Sequence, residues 1–435
     1  MNIALASIGC RTNQAENETL RAELGRARFT IVDNYKDAEV VIVNSCSVTS
    51  HTEAKVRRLL LAIVRQNPRI KILITGCTAQ QRGEELLSAA TNVSWVVGNA
   101  LKHEIPAILR GQPRRGVFLD TITREPLPVS QVLSAPGSSG RTRFLLKIQE
   151  GCDFSCAYCI VPLLRGPSRS ATAEEIECFC RKAVDAGYKE VVLTGTHIGQ
   201  FHGGLLPLVE RLIRIEGDFR IRLSSLDPAE LSDRLLVLAG GGGKLCDHLH
   251  ISLQSLSGQV LTAMIRRHTA PEALVESLSD FRGRFPHAGL GADFIVGFPG
   301  ETDAMFETTI RNAEQIGFSY AHIFRFSARP ETAAAALTPK IPEAVKRSRS
   351  ERLRVVIEKS RKRFVASQKG KAQRIIVEQE RPVRGVTSNY LAVEIPGASA
   401  MYNSWLDVVI EGTAGNGKYC RAEPFSDNTS LLPAP

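Results

Sequence analysis

The sequence predicts an α/β protein in three parts: a doubly wound parallel sheet domain, a partial (β/α) barrel and a small all-β barrel. Three observations predict it. Short apolar runs alternate with helix-like stretches in two places, before about residue 110 and again from Phe144. Between them, from about 112 to 138, Pro, Gly and Ser replace the periodicity. After residue 369, alternating runs are punctuated by Gly and Asn. A chain of 435 residues is also too long for one core.

In the first part, Ile3–Ile8, Glu39–Val43, Ile72–Ile74 and Val93–Val97 read as strands. Glu16–Arg26, Glu53–Gln66 and Gln80–Ala89 read as the helices between them. This unit is expected to fill residues 1–112. Residues 113–137 are expected to be a linker, with a short strand at Val117–Leu119. The second series carries six candidate strands: Phe144–Ile148, Glu190–Thr194, Arg220–Ser224, His248–Ser252, Leu290–Val296 and Tyr320–Phe326. Helices are expected at Ala173–Ala186, Leu205–Ile215, Pro228–Ala239, Ser257–Ile265, Pro271–Phe281 and Asp303–Ile316. Six strands at this spacing suit a partial or full parallel barrel over 138–368, closed by a charged helix at Pro342–Gln368. Arg374–Glu378, Ser388–Ile395, Asp407–Ile410 and Tyr419–Glu423 then suit a five-stranded barrel of the nucleic-acid-binding kind over 369–433.

Composition narrows the function class. The net charge is +10, and the stretch from Lys340 to Arg384 alone carries 15 Lys and Arg against five Glu. Beside a β module this reads as a phosphate-binding arm; alone it is equally a solvated helix face. No apolar run is long enough to span a bilayer. Met1–Cys10 begins directly with a strand-like run and has no basic stretch leading a long apolar one, so the cytoplasm is the expected compartment. Ten cysteines in such a chain favour metal or redox chemistry over disulfides.

Two cysteine triplets carry the chemistry. Cys152, Cys156 and Cys159 follow the first barrel strand in a CxxxCxxC loop. Three thiolates there can hold a [4Fe–4S] cube and leave one iron open to chelate S-adenosylmethionine (SAM). A structural zinc site is the competing reading, but zinc wants four ligands and no fourth lies nearby. Tyr158, before the last Cys, is placed to pack on the adenine. Cys10, Cys46 and Cys77 each sit just past a predicted strand of the first sheet. Strand ends of a doubly wound sheet gather along one edge, so these three can converge on a second cluster. For any one of them a small buried core residue is the plainer reading. Cys178, Cys180, Cys246 and Cys420 show no ligand pattern and read as structural. Thr194, Gly195 and Thr196, and Ile295 with Gly297 before the turn Phe298-Pro299-Gly300, are candidate SAM contacts at later strand ends. His197 and Asp293 read as strand-end caps rather than substrate contacts. The remaining histidines, among them His202, His248 and His250, show no metal spacing.

The segment GCDFSCAYCIVPLLRG (151–166) resembles the radical-SAM signature of the methylthiotransferase family, and SIGCRTNQAE, VNSCSVT and TGCTAQ resemble its three N-terminal cysteine segments. The resemblance spans nearly the whole chain. It implies the family's domain order: an N-terminal domain with an auxiliary cluster, a radical-SAM barrel and a C-terminal TRAM module that binds RNA. VVLTGTHIGQF, RIRLSSLDP, HLHISLQS, DFIVGFPGET and HIFRFSARPETAAA are similar to the branch acting on N6-threonylcarbamoyladenosine beside the tRNA anticodon. Leu163-Leu164 and Glu331 depart mildly from that pattern.

By this resemblance, Cys152, Cys156 and Cys159 hold the SAM-cleaving cluster and Cys10, Cys46 and Cys77 the auxiliary one. No catalytic side chain beyond these cysteines is implied. SAM would serve as both methyl donor and radical source, and C2 of the adenine would receive the methylthio group. The implied partners are a tRNA anticodon stem-loop and an electron donor such as a flavodoxin or ferredoxin, with no membrane and a monomeric enzyme. Methylthiolation of isopentenyladenosine or of a ribosomal-protein aspartate is the alternative. A non-catalytic iron–sulfur RNA sensor is the alternative of another class.

Overall fold

The computed structural model describes residues 1–47, 50–111, 115–125, 127, 136, 141–266, 270–413 and 419–425. About half of the expected linker and the last residues of the expected third unit lie outside them.

The first unit runs β1 (Asn2–Ile8), α1 (Arg11–Arg26), β2 (Thr30–Ile31), β3 (Val40–Ser45), α2 (Ser50–Gln66), β4 (Lys71–Gly76), α3 (Cys77–Ala89), β5 (Val93–Val97), α4 (Ile105–Gly111) and β6 (Gly116–Phe118). Its strands form one parallel sheet in the order β2-β1-β3-β4-β5-β6. The order reverses at β1/β3, the switch point at which ligands of such sheets bind. All six residues of β3 are buried, as a strand covered on both faces requires. The helices start earlier than the apolar pattern suggested. Polar loop residues after each strand are already helical, so Cys10 stands at the N-cap of α1 and Cys77 is the first residue of α3. The strand expected at Val117–Leu119 is β6, and it is the edge of this sheet.

The second unit follows as β7 (Arg143–Glu150), α5 (Val161–Arg165), β8 (Arg169–Ser170), α6 (Ala173–Asp185), β9 (Glu190–Gly195), α7 (Leu205–Leu212), β10 (Arg220–Leu223), α8 (Asp233–Gly240), β11 (His248–Gln254), α9 (Gly258–Ala263), α10 (Pro271–Arg284), β12 (Gly289–Val296), α11 (Asp303–Ile316), β13 (Tyr320–Arg325) and α12 (Glu343–Gln368). The parallel strands run β7-β9-β10 and β11-β12-β13, with two isolated bridges joining β10 to the β11 side. The result is a partial barrel filled by one apolar core. The helix expected at Pro228–Ala239 is split. Asp227 and Ser232 each cap their own N-terminus, so a short 3₁₀ turn precedes α8. Gly317 ends α11 in the left-handed conformation (φ 76°).

The chain ends in β14 (Ala372–Glu380), β15 (Val383–Thr387), β16 (Ala392–Ile395), β17 (Trp405–Thr413) and β18 (Cys420–Pro424), which close as a five-stranded barrel. The run expected over Ser388–Ile395 is instead a turn plus β16, and β15 escaped the pattern. That turn docks on the lower end of the larger barrel. Arg222, fully buried, donates to the carbonyls of Thr387 and Ser388 at 3.0 and 2.9 Å. Asn389 donates to the His287 carbonyl at 2.9 Å. Tyr390 enters the lumen, stacks on His248 with ring centroids 4.5 Å apart, and accepts a 2.7 Å hydrogen bond from Arg11. No helix among the described residues is long and apolar enough to cross a membrane.

Candidate functional site

A cleft of about 1330 Å³ lies where the first sheet meets the barrel mouth. Cys10, Cys46 and Cys77 all line it, together with Thr194, Gly195 and Thr196 from the end of β9. The sheet order explains the convergence. Cys10 follows β1 and Cys46 follows β3, on either side of the switch point, and Cys77 follows the next strand, β4. The loops interlock tightly. The Cys46 amide donates to the Ile8 carbonyl at 2.9 Å, and Thr78 Oγ1 donates to the Cys46 carbonyl at 3.1 Å. A Cβ on Gly9 would stand 2.6 Å from Cys46 Cβ. Gly76 (φ 95°) has no room for one either, since it would meet the Ser45 carbonyl at 2.4 Å. Cys46 and Cys77 are buried and Cys10 is exposed, and none of the three is in a disulfide.

The second triplet occupies the loop after β7. Its three thiols are free and half-buried. Burial pushes Cys159 up to about 12 and raises Cys156, which Arg266 only partly offsets. Arg266 stands beside Cys156. It reaches Tyr158 Oη at 3.4 Å and Cys156 Sγ at 3.8 Å, and is anchored by Asp227 at 2.6 Å. Its Nε and the Thr196 hydroxyl are buried without a hydrogen-bond partner among the described residues. Two orphaned polar groups near a thiol triplet are what a polar small molecule would satisfy.

The remaining candidates separate. Gly195 and Thr196 line the cleft. Tyr158 and Ile295 pack on one apolar cluster with Phe298 and Phe326. Gly297 (φ 74°) lies under α12, where an added Cβ would meet Lys346 Cγ at 2.3 Å. Cys178 is exposed, while Cys180, Cys246 and Cys420 are buried in separate places.

Three groups escaped the sequence reading. The first is a buried ionic node between the two large units. Arg165 donates to Glu16 of α1 and Glu150 of β7 at 2.7 Å each, and its Nε reaches Cys77 Sγ at 3.3 Å. Lys102 and Lys147 also reach Glu16. Burial opposes the Glu16 charge, but Arg165 and these lysines win and hold its carboxyl well below the usual range. Both Arg165 and Glu16 lie inside the quoted cysteine segments; a lone charge in the apolar VPLLRG run was the available signal.

The second group is His197, expected as a strand-end cap. Its Nδ1 lies 3.5 Å from Cys152 Sγ and its Nε2 2.5 Å from Glu230, and its ring meets Phe154 edge-on. Burial lowers its basicity, yet Cys152 and Glu230 lift its pKa to about 10. The third is Asp293. It is no cap, because it sits in the middle of β12, between His250 of β11 and His322 of β13. Adjacent strands bring these three together, which no spacing in the sequence announces. The expected basic arm is also partly spent within the chain. On α12, Arg349 pairs with Glu301 and Asp303, Arg352 with Glu307 and Lys359 with Glu314, whereas Lys346 and Arg354 line the cleft.

Known proteins match this architecture. Residues 2–98 match the family described as "Uncharacterized protein family UPF0004", and residues 146–313 match the Radical SAM superfamily. A threonylcarbamoyladenosine tRNA methylthiotransferase of Aquifex aeolicus is 35% identical, over 91% of this chain and 97% of its own length. A tRNA-2-methylthio-N(6)-dimethylallyladenosine synthase of Jannaschia sp. is 32% identical, over 85% of this chain and 82% of its own. The radical SAM methyltransferase TsrM of Kitasatospora setae shares the fold at 11% identity, with a TM-score of 0.58 over 77% of this chain and 75% of that one. Relatives of that identity and coverage place the chain in the methylthiotransferase family of radical SAM enzymes.

Proposed function

We propose that the protein adds a methylthio group to C2 of N6-threonylcarbamoyladenosine in tRNA, next to the anticodon. The observation that carries this reading is the cleft in which Cys10, Cys46 and Cys77, from the switch point of one sheet, meet strand ends of the barrel; the loop after that barrel's first strand holds the other three cysteines, and its Val161 and Arg165 reach the same cleft. The relative named for that substrate covers almost the whole chain.

Cys152, Cys156 and Cys159 would hold one [4Fe–4S] cluster and Cys10, Cys46 and Cys77 the other. Bound clusters and SAM supply reductive cleavage of the sulfonium, a methyl group and the sulfur relay. The donor sets fit: six cysteines outside any disulfide, in two groups of three, each with an arginine at its edge. The chain's own residues position and shield. The Thr196 hydroxyl and Arg266 Nε stand ready for the polar groups of SAM, and Tyr158 with Ile295 offers an apolar wall for its adenine. Gly195 is held against Thr12 Oγ1 at 3.1 Å, which ties the barrel mouth to the first turn of α1. Lys55, Arg325, Lys346 and Arg354 line the cleft and suit the phosphates of a nucleic acid. The five-stranded barrel supplies a second RNA contact.

The rest of the reading follows. The anticodon stem-loop is the docked element, a flavodoxin- or ferredoxin-type protein the electron donor, and the enzyme a cytoplasmic monomer. The units of this reading are 1–112, 138–368 and 369–433, with a linker at 113–137. Nucleoside mass spectrometry of tRNA from cells lacking the gene tests it. Loss of the methylthiolated threonylcarbamoyl nucleoside is expected. An unchanged level, with loss of the isopentenyl product or of a ribosomal-protein modification, would transfer the activity to that target. Anaerobic reconstitution should give about eight irons per chain. Cys156→Ala should abolish 5′-deoxyadenosine formation, while Cys46→Ala should keep some and stop sulfur transfer.

A further inference from the structure

His250, Asp293 and His322 occupy three adjacent parallel strands and point into the same lumen. His250 Nε2 and His322 Nδ1 each stand 3.1 Å from Asp293 Oδ1. All three ligand atoms lie within 4.8 Å of one another, and all three residues line the cleft. Ligands bound at about 2.0–2.1 Å to one ion stand roughly 3 Å apart, so each histidine already stands at coordination spacing from Asp293. It is also supported from behind. Tyr320 Oη lies 2.9 Å from His250 Nδ1 and 2.8 Å from His248 Nε2. Tyr320 thereby holds the His250 ring with its Nε2 toward Asp293, as outer partners of metal-bound histidines do. His250 is buried, whereas the His322 side chain is 60% exposed and leaves an entry from the cleft.

We propose that His250, Asp293 and His322 form a mononuclear site for a divalent transition metal, separate from the six cysteines. Two imidazoles and one carboxylate select zinc or ferrous iron over magnesium or calcium, which take oxygen ligands. Three protein ligands leave coordination positions open toward the cleft. An oxygen of the molecule held there, carboxylate or carbonyl, is the ligand those positions suit. The site does not depend on the cluster assignment, because its donors are nitrogen and oxygen alone.

Zinc is the probe. The anaerobically reconstituted holoenzyme is dialysed against micromolar zinc; zinc and iron are counted together, and the zinc K-edge absorption reports the ligand shell. One zinc per chain with only nitrogen and oxygen neighbours is expected. Asp293→Asn and His322→Gln should each weaken it more than about 100-fold, and Tyr320→Phe by about 10- to 100-fold, all with iron unchanged. No stoichiometric zinc, zinc with sulfur neighbours, or zinc indifferent to Asp293→Asn overturns the proposal. Unchanged iron in these variants reports intact cluster loops, so failure here is distinguishable from failure of the methylthiotransferase reading.

Discussion

Replacing Arg165 by Met should loosen the joint between the first sheet and the barrel. Arg165 and Glu16 are each about 3% exposed, and Glu150 is 4% exposed. Removing the guanidinium leaves two buried carboxylates facing one another. Breaking a buried pair in this way costs about 3–5 kcal/mol. Lys147 remains 3.3 and 3.2 Å from Glu16 and Glu150, and Lys102 still reaches Glu16, so the lower end applies. About 3 kcal/mol corresponds to a fall of roughly 6–12 °C for a unit of 150–250 residues. The loss should depend on pH. Glu16 has a folded pKa depressed below its unfolded value, so its stabilisation is present above about pH 4.3 and disappears as pH falls through the folded value. The difference between wild type and Arg165→Met should therefore shrink on acidification. Anaerobic scanning calorimetry at pH 7.5 and in steps downward from pH 4 reads both effects. Arg165→Lys keeps a charge but loses the fork and the N–H aimed at Cys77, so it should recover only part of the stability. If Arg165→Met melts within about 1 °C of wild type at pH 7.5, the node does not hold the units together and the reasoning fails.

Glu190 is wholly buried between Arg220 and Arg222, so Glu190→Ala should cost about 3–5 kcal/mol and free the small barrel, seen as faster proteolysis near residue 369. Gly76→Ala has neither the backbone freedom nor the space it needs; destabilisation of at least about 1–3 kcal/mol and loss of roughly half the reconstituted iron should accompany it, measured by melting and iron assay. His197→Asn removes the bridge between Cys152 and Glu230. It should slow 5′-deoxyadenosine formation while leaving tRNA binding unchanged, and equal rates would count against a role for that bridge. Tyr390→Phe deletes one charged hydrogen bond from Arg11, so a loss of about 1.5–3 kcal/mol in thermal stability is expected.

The legible parts of this chain were those written locally. Period and spacing placed the strands Ile3–Ile8 and Val93–Val97 and the helix Asp303–Ile316, because burial on one face or both imprints itself on neighbouring residues. The cysteines were legible for the same reason: each follows an apolar run, and parallel strands carry their ends to one edge. The two-residue edge strand β2 is too short to leave a pattern, and in β15 the inward positions are Val383, Gly385 and Thr387, so its alternation is not written in apolar residues. Contacts across units were silent. Nothing near Arg165 in the sequence names Glu16, and nothing near Asp293 names His250 or His322, because strand order, not sequence distance, decides which side chains meet. The split at Ser232 was written in the sequence, since two capping residues five apart announce two starts, but the apolar period obscured it.

The turn carrying Tyr390 has a mechanical consequence. It stoppers the lower opening of the larger barrel with an aromatic ring, and the stopper is gripped from above by a residue adjoining Cys10. The small C-terminal barrel is thereby latched to the start of the first helix across 379 positions. A chain cut before Lys369 would lose the small barrel and uncork its own reaction chamber at once, so residual activity in such a truncation would measure leakage as much as lost RNA grip.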